Sequence, residues 1–177
     1  MAETVKGARQ LANKLNKLGS ATAVVEQAMG KEIQRVRNLA VTLCPTGHSE
    51  LKRSIKTMIQ PYDGGIRGVC YTNKEHAAYV EFGTGPQGQE QHEGISPNVQ
   101  PTYTQQGWWF PGKDIDPADA DKYHWPKSEG PDGVFYYTDG QPAQPFMYPA
   151  LKMNENIIKA NLSAALQTEI KKVGKSK

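Results

Sequence analysis

Cysteine is scarce in this chain, with only Cys44 and Cys70. Two such thiols make neither a disulfide framework nor a Cys-x-x-Cys metal or redox pair, so each is expected as a buried, reduced thiol. Long apolar runs are missing as well. Nothing approaches the roughly 18 consecutive apolar residues of a membrane span, so no membrane partner is expected. The opening Met1-Ala2-Glu3-Thr4-Val5-Lys6 lacks the apolar core of a signal peptide, which makes synthesis in a cytosol the expectation. Apolar residues are in short supply overall, 37% of the chain against the usual ~45–50%. With 17 Gly and 12 Pro among 177 residues, the core is expected to be modest and part of the chain irregular or ordered by a partner.

The net charge of +3 conceals an uneven distribution. Residues 1–60 carry +6, residues 61–83 carry −1, residues 84–141 carry −6 and residues 142–177 carry +4. Basic ends around an acidic middle suit head-to-tail contact between copies, or equally a solvated surface.

The length fits one domain over 1–177, with an insertion at about 84–133. Residues 4–18 place Ala8, Leu11, Leu15 and Leu18 at three-four spacing. After Gly19-Ser20 the spacing continues through Val25, Ala28, Met29, Ile33, Val36, Ala40 and Leu43 to Pro45. This predicts one long amphipathic helix, or two joined ones with Ser20 as a cap. Ser49 or Thr46 is placed to cap a short helical turn holding Leu51. Ser54–Ile59 reads as a strand, Tyr62-Asp63-Gly64-Gly65 as a hairpin turn, Gly68–Thr72 as its partner, and Ala77–Phe82 as a third strand ending at Gly83-Thr84-Gly85. Residues 84–133 read as a long loop that packs a small aromatic core from Trp108-Trp109-Phe110 and Tyr123-His124-Trp125. Val134–Thr138 is a fourth strand. A last helix follows Pro145, its apolar stripe predicted as Leu151, Ile158, Leu162, Ala165, Leu166, Ile170 and Val173. The fold class is α+β: long N- and C-terminal helices on a small, mainly antiparallel sheet, with a long aromatic-containing loop insertion.

Chemistry-bearing motifs are thin. Gly83-Thr84-Gly85-Pro86-Gln87-Gly88 matches Gly-x-Gly-x-x-Gly in form. Dinucleotide binding needs a helix N-terminus behind it, and the Pro/Gly/Gln-rich run is predicted to make none. Asp114, Asp116, Asp119 and Asp121 lack the glycine and glutamate of a calcium loop. His48, His76, His92 and His124 lie apart, away from any cysteine at zinc-finger spacing. Ser49 and Ser54 sit in no Gly-x-Ser-x-Gly elbow. Neither a metal nor a cofactor site is expected. Glu81, an acid in an apolar segment, is the best placed for a perturbed carboxylate, against the plainer reading of a pair with an Arg or Lys of a neighbouring strand or subunit. The basic residues Lys6, Arg9, Lys14, Lys17, Lys31, Arg35 and Arg37 are spread around the helix, which leaves nonspecific attraction to DNA phosphates as the nucleic-acid reading.

Three segments in order resemble one family. Pro45-Thr46-Gly47-His48-Ser49-Glu50-Leu51-Lys52-Arg53-Ser54-Ile55 is similar to a Pro-x-x-Thr-Gly-x-Leu-Arg-x-Ser-Ile element, departing from it by Thr-Gly directly after the proline and two extra residues before Leu51. Tyr79-Val80-Glu81-Phe82-Gly83-Thr84-Gly85 is similar to Tyr-Val-Glu-Phe-Gly-Thr. Pro142-Ala143-Gln144-Pro145-Phe146-Met147-Tyr148-Pro149-Ala150-Leu151 is similar to Pro-Ala-Gln-Pro-Phe-Leu-Arg-Pro-Ala-Leu. The family is the neck, or tail-completion, group of tailed bacteriophages, also described as head–tail joining proteins or a minor tail component. The resemblance spans roughly residues 20–170, and the insertion resembles that of a subgroup with a Trp-rich loop. It implies a virion protein made in the bacterial host cytoplasm. It further implies a homo-oligomeric ring, expected as a hexamer, between the connector or head-closure proteins and the tail tube. No catalysis or cofactor is implied, and DNA in the channel is a possible nonspecific contact. The Glu81, Phe82, Gly83, Thr84 and Gly85 turn is expected to pack against the Pro145-Phe146-Met147 entry, with Phe82 and Phe146 in the core, and Pro149 is a further structural residue of the motifs. Trp108, Trp109, Phe110 and Trp125 are the interface candidates. The alternatives are a nonspecific DNA-binding module and a hydrolase using Glu81.

Overall fold

The computed structural model of the chain describes residues 3–47, 49–62, 65–116, 120–121 and 123–174. They form two compact units: residues 1–73 with 149–177, and residues 74–148.

The first unit is built on α1 (Glu3–Leu43), one continuous helix that runs through Gly19-Ser20 without a break. A glycine inside a helix costs only about 1 kcal/mol relative to alanine, which the flanking helical sequence offsets. The stripe residues Ala8, Leu11, Leu15 and Leu18 lie on this helix, their side chains outside the described ones. Ile33, Val36, Ala40 and Cys44 line up at three-four spacing and are buried. α2 (Ser49–Ser54) follows, then the antiparallel hairpin of β1 (Lys56–Tyr62) and β2 (Gly65–Tyr71), with Tyr62 opposite Gly65. The turn residues Asp63 and Gly64, and His48, lie outside the described residues. Ser54 belongs to α2 and not to the strand. Its hydroxyl donates to the Leu51 carbonyl at 2.7 Å and meets the Thr72 hydroxyl at 2.5 Å.

Glycine lets the hairpin lie close to α1. A Cβ on Gly68 would stand 3.0 Å from Met29 Sδ and 3.2 Å from Ile33 Cβ, and one on Gly30 3.3 Å from Ile59 Cδ1. Leu51 and Ile55 are fully buried, and Arg37 Nε donates to the Ile55 carbonyl at 2.7 Å. Both cysteines are free; Cys44 is buried and Cys70 half-buried. Burial pushes the Cys70 thiol above its ordinary range, against the weaker pull of Arg37. Since the thiolate is the reactive form, Cys70 in the folded protein is expected to react with a disulfide probe at pH 8 at least about tenfold more slowly than in urea. Equal rates would show the site opening freely.

The closing helix α5 (Met147–Gly174) corrects the predicted stripe. Its buried line is Ala150, Asn154 and Glu169, with Ile158, Leu162 and Ala165 half-buried, whereas Leu151, Leu166 and Ile170 are about half exposed or more. Polar residues can occupy that line because each is bonded. Asn154 Nδ2 donates to the Ala150 carbonyl at 2.8 Å, and Lys172 Nζ donates to Glu169 at 2.5 Å. Asn161 Nδ2 donates to the buried Glu32 at 2.9 Å, which ties α5 to α1.

The second unit corrects the predicted meander. Residues 77–82 are not a third strand but part of α3 (His76–Phe82). Ala77, Val80 and Glu81 are buried while Ala78 and Tyr79 are exposed, a helical spacing that a short apolar run disguises as alternation. The run after Gly83 also makes a helix, α4 (Gly85–Glu90), against expectation. Pro86 sits in its first turn, where the missing N–H has no intrahelical partner to lose. Six residues entered from a helix, not a strand, still lack the dinucleotide arrangement. Inside the expected loop lie β3 (Trp108–Pro111), a 3-10 turn (Gly112–Asp114) and β4 (Lys127–Gly130). Both strands pair antiparallel with β5 (Gly133–Thr138), giving the order β3-β5-β4.

Candidate interaction surface

Two sequence segments meet in the second unit. Glu81 is 6% exposed and its carboxylate faces the start of α5. Oε2 accepts from the backbone N–H of Phe146 at 2.8 Å and of Met147 at 2.9 Å, and Oε1 from that of Tyr148 at 2.9 Å. A helix leaves its first N–H groups without intrahelical acceptors and with a partial positive charge, so a carboxylate satisfies both hydrogen bonding and dipole. The following residue is Pro149, which has no N–H to satisfy. Carboxylate and proline together account for the whole first turn. The expected Arg or Lys partner of Glu81 is replaced by backbone.

Main-chain bonds extend the junction. Gln144 N donates to the Val80 carbonyl at 2.8 Å, Thr84 N to Gln141 O at 2.9 Å and Gln141 N to Thr84 O at 3.1 Å. Gln141 Nε2 donates to Tyr79 O at 2.9 Å. This close backbone approach explains the glycines. A Cβ on Gly83 (φ 75°) would stand 2.8 Å from Ala143 N, and one on Gly85 (φ 62°) 2.5 Å from Asp139 O. Phe146 is fully buried. Phe82 is only half-buried, and so is not the core residue the sequence suggested. Pro145 and Pro149 are half-buried.

Phe82 lines a groove of about 660 Å³ together with Tyr79, Pro101, Tyr103, Trp108 and Gln141. Tyr103 Oη donates to the Phe82 carbonyl at 2.8 Å, and its ring stacks on His92 at 5.9 Å. Desolvation raises the Tyr103 phenol above its usual range. The four interface candidates divide into two groups. Phe110 and Trp125 are half-buried and meet edge to face at 5.2 Å, with Tyr123 stacked on Trp125 at 5.2 Å and Tyr136 beside Phe110 at 6.1 Å. Trp108 and Trp109 are surface residues, 39% and 51% exposed. Trp109 leans on Tyr137 at 5.3 Å across the β3–β5 ladder. The Tyr137 phenol is raised above its usual range, first by its hydrogen bond with Asp139.

Chemically, this arrangement binds and holds. Both Glu81 oxygens are engaged by backbone donors, Oε2 by two and Oε1 by one. Among the described residues no three His, Cys, Asp or Glu side chains are grouped to hold a metal ion, and no helix is long and apolar enough to cross a membrane. Of the aspartates considered for calcium, Asp119 lies outside the described residues. Sequence reasoning missed Tyr79, Pro101 and Tyr103 as groove walls. Placing Tyr79 on a helix, through its alanine-rich start, is the signal that pointed there.

Residues 9–83 match the family model described as "Bacteriophage HK97-gp10, putative tail-component". The match runs from α1 to the end of α3 and closes on Gly83. Comparison with curated proteins and with solved structures finds no significant match.

Proposed function

From that match to a phage tail-component family, we propose that this chain is a structural protein of the virion neck, forming a homo-oligomeric ring that completes the tail and joins it to the head connector. The family match carries the reading. It is supported by the junction just described. The matched segment ends at Gly83, and Glu81 within it caps the helix entered through Pro142–Leu151, the later segment that resembles the same family. Partners on this reading are further copies of the chain, expected as six, the connector or head-closure proteins, and the tail tube. The activity is assembly, with neither catalysis nor a cofactor. Solution mass across a concentration range, with negative-stain microscopy, tests it directly. Rings, alone or on added tail tubes, are the expected result. A chain that stays monomeric both alone and with tubes removes the reading and reopens nonspecific DNA binding, whose mark is a steep loss of DNA affinity with salt.

Trp108 and Trp109 carry the second expectation. As exposed aromatics they are the side chains with most area to bury against a partner. The Trp108→Ala/Trp109→Ala double variant is expected to stay folded and to assemble at least about tenfold more weakly. An unfolded double variant would assign both residues to the second unit's own core.

A further inference from the structure

We propose that the groove walled by Tyr79, Phe82, Tyr103 and Trp108 receives the outer face of α5 from a second copy of this chain. The inference rests on the oligomer reading above and adds the contact that builds it.

Each partner surface is apolar and open. On α5, Met153 is 66% exposed and Ile157 46%, and Ala160 and Ala164 continue the line in exposed positions. The spacing of four, three and four places these residues on one stripe of the helix. Two large side chains followed by two small ones is a pattern for a helix laid in a groove, where the large ones anchor and the small ones allow close approach. This stripe is opposite in kind to the buried Ala150–Asn154–Glu169 line, so the helix already has a partnered face and carries a second, uncovered one. The groove offers aromatic walls, with Tyr79 itself 57% exposed.

Charge selects which surfaces meet. The unit bearing the groove holds four Lys/Arg and eleven Asp/Glu, net −7, while the unit bearing the stripe holds seventeen and seven, net +10. Stripe against stripe brings together two strongly basic units, and groove against groove two acidic ones. Stripe against groove alone joins opposite signs. On the same helix Lys152 and Lys159 are 61% and 69% exposed while bonded to Glu155. A contact between two different surfaces is heterologous. Repeated from copy to copy it closes into a ring or runs on as a filament.

Two single-surface variants test it. Tyr79→Lys puts a cation in the groove, and Met153→Glu/Ile157→Glu removes the apolar anchors and sets two negative charges on the stripe. All three positions are solvent-exposed, so the folds should hold, as circular dichroism will check. Should Tyr79→Lys lose its fold, Thr102→Lys on the groove rim replaces it. Wild type is expected to assemble, and each variant alone to stay monomeric, at least about a hundredfold weaker in association. Their equimolar mixture should give two-chain complexes and nothing larger, because each pair retains one intact groove and one intact stripe. Variants that assemble like wild type, or a mixture that does not pair, overturn this contact and leave the oligomer reading standing. A wild type monomeric under every condition overturns both.

Discussion

Replacing Glu81 with alanine is expected to lower the unfolding free energy by at least about 3 kcal/mol. The carboxylate holds three backbone N–H groups in a site that is almost closed to water. Each such charge-assisted bond contributes of order 1.5 kcal/mol or more, and donors left bare in a buried site carry a desolvation cost of similar size. Glu81→Gln should lose less. Its amide oxygen still accepts, but its NH2 group faces donors and the favourable charge at the helix N-terminus is gone. Urea unfolding of the three proteins would measure this, with the order wild type, Gln, Ala. Equal stability across the series would mean that α5 begins without its cap. The same variants address the hydrolase alternative, since a catalytic Glu81 would lose turnover in the Gln form with little change in stability.

The second large effect is expected at Gly140. Its φ of 94° is in the left-handed region, and an added Cβ would run into the Thr84 carbonyl. Gly140→Ala therefore carries both backbone strain and a collision with main chain that cannot rotate away. About 3 kcal/mol or more is expected, together with loss of the Thr84–Gln141 bridge. Two other glycines calibrate the result. Gly133 has φ 111° with nothing within 4 Å of an added Cβ, so Gly133→Ala reports strain alone, about 1–2 kcal/mol. Gly19 lies in α1 with open space around it, so Gly19→Ala should stabilise by up to about 1 kcal/mol. If Gly140→Ala cost no more than Gly133→Ala, the close approach of residues 83–85 to 139–143 would be wrong.

The parts of this fold legible in the sequence are those with a local signature. The long first helix shows itself by Ile33, Val36 and Ala40, the hairpin by the glycines around its turn, and β5 by Val134–Thr138. The parts that escaped depend on contacts far along the chain. Residues 77–82 alternate well enough for a strand, and only the burial of Ala77, Val80 and Glu81 on one side makes them a helix. Glu81 shows no local sign of capping a helix that begins 66 residues later. The face α5 buries is not legible locally, because hydrophobicity points to Leu151, Leu166 and Ile170, whereas the fold covers Asn154 and Glu169 and bonds them. The Trp-rich insertion shows its aromatic cluster in its composition, and Phe110, Tyr123, Trp125 and Tyr136 do meet. Its two further strands are four residues each, too short to stand out from a run rich in Pro, Gly and Asp.

One register pair sets how this insertion joins the chain. Trp108, where β3 begins, lies directly opposite Thr138, where β5 ends. Antiparallel partners stand only about 5 Å apart at Cα, so the chain leaves and re-enters the rest of its unit through a gate one strand spacing wide. Everything between, the β4 hairpin and the aromatic cluster included, is a detour that a tight turn can replace without moving either end. Shortening the detour is therefore expected to leave the Glu81 junction with its geometry unchanged. The surface carried on the detour and the junction that holds the unit together are thus separable parts of one chain.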